Sequence, residues 1–395
     1  MILIKMNLSC PMACSYCYQI PVREEGFHKK PYDLDAVIRT VRDLYSKTKS
    51  QIVIHGGEPL SIPIGDFERL LSLSYELDGK SSIQTNGYLI SEPLIALFKK
   101  YRTSVGVSID GPWPCNELRG SGSPEDRRAQ TLKILENIRF LRKENIPTSI
   151  IAVVHKYNAV KENRLQLLKD FVSELELIQV CGRLNPCCTG NPEYDLSQEE
   201  AVSVYSNLFK FMLEKGYSSW SPFKDVLNSL QGKKEVVCVF AGCYPYATPS
   251  ATTVLYDGSL GVCVRLYQDD IYLRSSKFSR IRETVLGQTE CLDCDFFPNC
   301  KGGCSGMALD FDWRHKDRFC ETYRTLFQMA RRYLKAMGCQ ISRSPPMEIF
   351  APGNHSDGIQ HLDGSIRHLD SDIGLGSHTD GIEHLDGETR HLDSG

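Results

Sequence analysis

Cys10, Cys14 and Cys17 stand near the start of the chain in a C-x3-C-x2-C pattern. Three thiolates so close can wrap one corner of a cubic iron–sulfur cluster and leave its fourth iron open to a small molecule. The same ligand type would also serve a zinc knuckle completed from elsewhere. A second cysteine field runs Cys238-x4-Cys243-x14-Gly258-x4-Cys263, then Cys291-x2-Cys294-x5-Cys300-x3-Cys304-x15-Cys320. These thiols suit either further clusters or a two-zinc ribbon. The remaining cysteines, Cys115, Cys181, Cys187, Cys188 and Cys339, read most simply as buried structural thiols. A different chemistry is written in His55-Gly56-Gly57-Glu58, where glycines admit a ligand close to backbone and Glu58 can bind an amine.

These groups need elements to position them. Apolar runs at Ile2–Met6, Gln51–His55, Ser81–Thr85, Ser104–Ile109, Thr148–Val154 and Leu177–Val180 have the length and β-branched content of buried strands. Between them, stretches such as Leu34–Tyr45, Leu94–Lys100 and Ala129–Lys143 repeat apolar residues at three- and four-residue spacing, as amphipathic helices do. Strand and helix in alternation predict a parallel sheet with helices packed outside it. Such sheets carry their chemistry on loops after the C-terminal strand ends. The cysteine triplet and the Gly-Gly-Glu turn both fall there, and Cys187-Cys188 follows the sixth expected strand. Further helices are expected near Gln198–Lys215 and Cys320–Met337.

Composition narrows the class. The 395 residues are 41% hydrophobic and 24% charged, and no apolar run approaches the roughly 20 residues of a membrane span. No secretory signal precedes the cysteines, so a disulfide-stapled secreted domain is disfavoured and a cytoplasmic protein is expected. No dense basic stripe marks a nucleic-acid footprint. The net charge of -3 hides an uneven distribution, because residues 344–395 carry -8 and the rest +5. This tail is rich in Gly, Asp, Ser and His, lacks any apolar period, and is expected to be disordered. It repeats with a period of 23 residues, and all six of its histidines are followed two residues later by aspartate. The pairs are His355/Asp357, His361/Asp363, His368/Asp370, His378/Asp380, His384/Asp386 and His391/Asp393. Imidazole and carboxylate in alternation could bind divalent metal, or the tail could be a solvated extension.

In order, spacing and strand position, the triplet and the Gly-Gly-Glu turn resemble the radical S-adenosylmethionine (SAM) superfamily. Ser81–Gly87 is similar to that family's third strand and Ser104–Gly111 to its fourth. The resemblance implies a partial (β/α)6 TIM barrel and a 4Fe-4S cluster on Cys10, Cys14 and Cys17 whose open iron binds SAM. It places Tyr16 by the adenine, Gly56, Gly57 and Glu58 at the amino group, and Ser108 and Arg119 at the carboxylate. The second field resembles the SPASM extension of radical SAM peptide- and protein-modifying enzymes. By that likeness Cys238, Cys243, Cys263 and Cys304 hold one auxiliary 4Fe-4S cluster, and Cys291, Cys294, Cys300 and Cys320 a second.

The expected domains are a radical SAM barrel over residues 1–185, a helical linker over 186–237, an auxiliary-cluster domain over 238–343 and the tail over 344–395. The resemblance implies a peptide maturase that abstracts hydrogen from a ribosomal peptide and forms an oxidative crosslink, supplied with electrons by a flavodoxin or ferredoxin. His-x-Asp is similar to the substrate pattern of three-residue cyclophane-forming SPASM enzymes, which makes the tail, or a precursor peptide like it, the expected partner. Alternatives are a sulfatase-maturase-like oxidation of Cys or Ser and thioether formation. Against the former, sulfatase maturases usually have an aspartate after the cysteine matching Cys263, where this chain has Val264 and then Arg265. Some peptide maturases carry a leader-recognition domain ahead of the triplet; with Cys10 so early, none is expected here. A non-catalytic zinc protein is the reading from another class. No general base or radical-quenching residue is identified; Cys187, Cys188, Arg183 and Arg265 are positional candidates.

Overall fold

The computed structural model describes residues 1–7, 9–20, 26, 31–233, 235–243, 251–261, 263 and 281–342. The His-x-Asp tail, Val264 and Arg265 lie outside the described residues. The expected alternation is present: β1 (Ile2–Lys5), α1 (Leu34–Thr48), β2 (Ile52–His55), α2 (Ile64–Asp78), β3 (Ser81–Thr85), α3 (Glu92–Lys100) and β4 (Thr103–Ser108). It continues through α4 (Pro124–Lys143), β5 (Thr148–Val154), α5 (Arg164–Leu177) and β6 (Cys181–Pro186). Then come α6 (Gln198–Lys215), α7 (Phe223–Leu230), β7 (Thr252–Val254), β8 (Leu260–Gly261), α8 (Ile281–Gln288) and α9 (Cys320–Ala336).

The strands form one sheet in the order β6-β5-β4-β3-β2-β1-β7-β8. Neighbours from β6 to β7 are parallel, and β8 returns antiparallel to β7. This is the mixed α/β core of a partial barrel. Two features differ from expectation. The apolar run Leu177–Val180 is not a strand: Leu177 ends α5, and the chain turns through Gln179 at φ 56°. The sixth strand is instead Cys181–Pro186, an edge strand whose polar residues hide its pattern. Second, the sheet continues beyond β1, because Thr252–Val254 runs parallel to Ile2–Ile4.

Residues in register on neighbouring strands share a face, and alternate residues face opposite ways. On one face Ile4, Ile54, Ile83, Val105, Val107, Ile150, Ala152 and Val154 are almost fully buried. They meet the apolar faces of the helices, represented by Val37, Val41, Leu70, Phe98, Ile134 and Val172 in the same core. Each such side chain contributes about 1.5–3 kcal/mol of burial. The opposite face carries Lys5, His55, Gln84, Ser108, Ile151, Arg183 and Asn185, which apart from Lys5 are only partly buried. The sheet therefore has an oily back and a polar inner face. Capping boxes at Ser123/Asp126 and Ser197/Glu200 close the N-termini of α4 and α6. Helix α9 packs on α6 and α7. No helix of the described residues is long and apolar enough to cross a membrane.

Candidate active site

The loop after β1 carries Cys10, Cys14 and Cys17, all partly buried. It is held on two sides by backbone. Asn7 and Ser9 carbonyls accept from the amides of Gly57 and Glu58 at 2.8 Å, and Ala13 and Ser15 amides donate to Gly120 and Leu118. Gly56 leaves little room there: a Cβ would stand 2.9 Å from Asn7 Oδ1 and 3.2 Å from the Asn7 carbonyl. The Cys10 sulfur accepts from the Met12 amide at 3.4 Å and from Asn86 Nδ2 at 3.6 Å. Burial raises the Cys14 pKa, the Arg119 charge opposes that, and Cys17 and Cys10 add to it, so the three thiols lie within each other's field.

Glu58 is fully buried. Its Oε1 accepts from Thr85 Oγ1 at 2.6 Å and Leu60 N at 3.0 Å, and its Oε2 from Asn86 N at 2.7 Å. Burial pushes its pKa up against these donors. A carboxylate offers about four acceptor positions, so one on Oε2 is left for an amine. Gly57 lends its amide to Asn7, and Ser108, at the end of β4, receives Gln84 Nε2 at 2.9 Å.

Tyr16 and Arg119 meet in a buried network that extends past both. The Tyr16 hydroxyl donates to Asp110 Oδ2 and accepts from Arg119 Nη1 at 2.9 Å. Asp110, 0% exposed, also takes the Val153 amide on Oδ1 at 2.8 Å. His155 Nε2 stands 3.5 Å from Asp110 Oδ2, and its ring centroid lies 5.5 Å from that of Tyr16. Burial works to raise the Asp110 pKa, but Arg119, His155 and the Tyr16 hydroxyl hold it below the ordinary carboxylate range. Burial, with help from Asp110 and against Arg119, pushes Tyr16 well above the usual phenol range. Arg119 keeps its Nε buried and without a hydrogen-bond partner. Asp110 and His155 were not singled out from the sequence. The signal for them was position, since each follows a parallel strand at its C-terminal end.

Cys187 follows β6, and its amide donates to Val154 O at 2.9 Å. Burial and the nearby Asp195 carboxylate drive its thiol pKa far up, so it stays a neutral thiol. Cys188 is partly buried; Cys115 is buried with its sulfur 3.7 Å from Arg164 O. Cys181 is partly buried, while Cys339 is exposed at the end of α9.

The second cysteine field has a built interior. Cys291, Cys294, Cys300 and Cys320 all line one cavity of about 340 Å³. Among the described residues no three metal-ligating side chains converge as a single ion requires. Burial raises the thiol pKa of Cys291 to about 12 and of Cys320 to about 11, with neighbouring cysteines adding to both. Buried Arg282, unanticipated from sequence, donates to the carbonyls of Gly302, Gly303, Trp313 and His315 and so fixes the loop between Cys300 and Cys320. Gly303 at φ 75° leaves room for Asp317, whose Oδ2 receives the Cys304 amide at 2.9 Å. Of the other expected ligands, Cys243 and Cys304 are buried and Ser305, next to Cys304, donates to Cys243 Sγ at 3.6 Å. Cys263 is partly buried and Cys238 is exposed.

The triplet loop, the crowded Gly56, the spare acceptor on Glu58 and the orphaned Arg119 Nε together fit a cluster with a bound amino acid-like ligand. A model of the radical SAM superfamily matches residues 4–168. The serine-type anaerobic sulfatase-maturating enzyme of Bacteroides thetaiotaomicron is 30% identical over 406 aligned positions, covering 91% of this chain and 94% of that protein. The cysteine-type enzyme of Clostridium perfringens is 24% identical over 355 positions, 81% of this chain and 93% of that one. Among solved structures, native anSMEcpe with bound AdoMet and Cp18Cys peptide is similar at TM-score 0.68 and 22% identity, covering 85% of this chain and 98% of that chain. Streptococcus suis SuiB bound to precursor peptide SuiA is similar at TM-score 0.55 and 13% identity, covering 81% and 75%. The chain belongs to the radical SAM superfamily: it is an enzyme that uses SAM and a 4Fe-4S cluster to modify peptide or protein side chains.

Proposed function

We propose that this enzyme forms a carbon–carbon crosslink between histidine and aspartate in His-x-Asp units, within its own tail or a precursor peptide carrying the motif. One observation carries the reading: every histidine of the tail has an aspartate two residues later. The peptides bound by anSMEcpe and SuiB support a peptide substrate. In this reading Cys10, Cys14 and Cys17 hold the SAM-binding cluster, and Tyr16, Gly56, Gly57, Glu58, Ser108 and Arg119 hold SAM. When bound, that pair of cofactors supplies the one-electron reduction of SAM that makes hydrogen abstraction from an unactivated carbon possible.

The balance of the reaction is an oxidation. The aspartate Cβ loses a hydrogen atom to the deoxyadenosyl group, Cβ bonds to an imidazole carbon, and the ring then loses a proton and one electron. Cys238, Cys243, Cys263 and Cys304, with Cys291, Cys294, Cys300 and Cys320, would hold two auxiliary 4Fe-4S clusters, which would supply an acceptor for this electron. The cavity shared by the second set of thiols supports that role. Methionine and 5′-deoxyadenosine leave as products, and a flavodoxin or ferredoxin supplies the initiating electron.

Mass spectrometry of the full chain after anaerobic incubation with SAM and reductant tests this. A loss of about two mass units per crosslinked unit, with fragmentation blocked between His and Asp, is expected. An unchanged tail and an unchanged partner peptide refute it. A second reading, oxidation of a Cys or Ser side chain to an aldehyde, is favoured by the likeness to the Bacteroides enzyme. An aldehyde-reactive probe on Cys- and Ser-containing sulfatase peptides separates the two.

A further inference from the structure

Among the described residues, Arg183 stands on the polar inner face of the sheet as a cation whose guanidinium has no ion pair or hydrogen bond. Arg183 lies on β6 in register with Ile151, which is in register with Ser108. It therefore shares the inner face with Ser108 and Gln84, and it is only partly buried. A guanidinium cannot shed its proton and carries five donors, so a partly buried one without a partner is suited to meet an anion. Two carboxylates that follow β4 and β6 are committed elsewhere. Asp110 serves Tyr16, Val153 and His155. Asp195 takes Thr189 and Gly190 and stands 3.6 Å from Arg318.

We infer that Arg183 binds a carboxylate of the substrate, that of the aspartate whose Cβ reacts. The naming of an aspartate peptide rests on the function proposed above. SAM also bears a carboxylate, but position separates the sources. Ser108, at the proposed SAM carboxylate, lies two strand-to-strand steps from Arg183, about 10 Å along the sheet, and the cluster loop after β1 lies five steps away. Arg119 and Ser108, closer to the loop, face the SAM side; Arg183 stands at the far edge, where a second ligand enters. The planar fork of arginine grips both oxygens of a carboxylate, which fixes Cγ and leaves Cβ one bond away in a set direction. Arg183 is thus a residue of specificity and positioning.

The test uses the full-length chain with the six aspartates of its His-x-Asp pairs changed to asparagine, so that it does not compete with added peptide. Labelled peptides spanning residues 355–371, with aspartate or with asparagine at 357, 363 and 370, are titrated anaerobically in the presence of SAM. The enzyme should prefer the aspartate peptide by about 30-fold or more. Arg183→Gln should abolish that preference while leaving SAM affinity and the SAM-induced change in the cluster's EPR signal intact, and Arg183→Lys should restore only part of it. Equal affinity for both peptides in the parent chain, including binding of neither, overturns the inference even if Arg183→Gln does not fold. Loss of SAM affinity in Arg183→Gln also overturns it, because the carboxylate would then be that of SAM. If the preference depends on Arg183 but no crosslink forms, the proposed product fails and the inference stands.

Discussion

Replacing Asp110 with asparagine keeps shape and removes charge, which makes it a direct probe of the network behind the cluster loop. The carboxylate accepts from Val153 N and from the Tyr16 hydroxyl and sits 3.5 Å from His155 Nε2. Asparagine can still offer Oδ1 to Val153, but it then turns an NH2 group toward Tyr16. The Tyr16 oxygen already receives Arg119 Nη1, so its own proton loses its acceptor. A hydrogen bond to a charged group contributes about 1.5–3 kcal/mol, and an orphaned buried donor costs about 1–3 kcal/mol. Arg119 also loses its compensating charge, although through an intervening hydroxyl. A net destabilisation of about 3 kcal/mol follows, and part of it should emerge as weaker SAM binding, since Arg119 and Tyr16 both belong to the proposed SAM site. Anaerobic urea unfolding of the reconstituted enzyme measures the first effect, and SAM titration with EPR of the reduced cluster measures the second. Tyr16→Phe removes the same bonds from the other side. The double variant should therefore cost at least about 1 kcal/mol less than the sum of the single variants. Strict additivity, or an Asp110→Asn enzyme within about 0.5 kcal/mol of wild type with unchanged SAM affinity, refutes the coupling.

Other outcomes follow from single positions. Gly56→Ala forces a methyl to 2.9 Å from Asn7 Oδ1 and 3.2 Å from Asn7 O; SAM affinity should fall at least tenfold, a loss of about 1.4 kcal/mol, while far-UV circular dichroism stays unchanged. Cys300→Ser removes one thiol from the 340 Å³ cavity; iron should drop from about twelve to about eight atoms per chain, with SAM cleavage retained and product lost. His55 is held neutral, its pKa pushed from 6.5 to about 4 by burial and then by the Lys5 charge. The unfolded chain therefore binds its proton more readily, and stability is complete above pH 6.5 and declines as pH falls toward 4. With the ring partly exposed, the loss is about 2 kcal/mol, and His55→Gln should flatten that part of the pH–stability curve.

What the sequence disclosed follows from how each element announces itself. The cysteine triplet and the Gly-Gly-Glu turn are legible because their residue types are rare and their spacing is fixed by what they hold. Strands β1 to β5 are legible because one face of each is oily. β6 is not, because an edge strand reading Cys-Gly-Arg-Leu-Asn-Pro needs only Leu184 and Pro186 to face the core. Strands β7 and β8 span Thr252–Val254 and Leu260–Gly261, too short for any period to show. Asp110, His155 and Arg282 act as single polar residues whose partners lie in other segments, so no local pattern marks them. The tail repeat was plain in the sequence, while its use depends on groups outside it.

The linear strand order explains why this inner face can be polar at all. A closed eight-strand barrel fills its interior with side chains and admits at most a small ligand. Here β6 and β8 are the ends of an open sheet among the described residues. The edge of β6 is partly covered, because Ser221 N donates to Gly182 O and Leu184 N to Ser221 O. That patch satisfies backbone where a bare edge would invite another strand, but it does not close the sheet. Small residues on the inner face, such as Ser108, Ser149 and the Gly106 against which Gln84 lies, leave space that aliphatic side chains would occupy in a filled barrel. A side opening of this kind suits a chain-like substrate, which can lay one residue against the inner face without threading its ends through a ring. The same openness leaves Arg183 half-hydrated until a carboxylate arrives, so its charge favours an acidic residue over its neutral amide at the entrance.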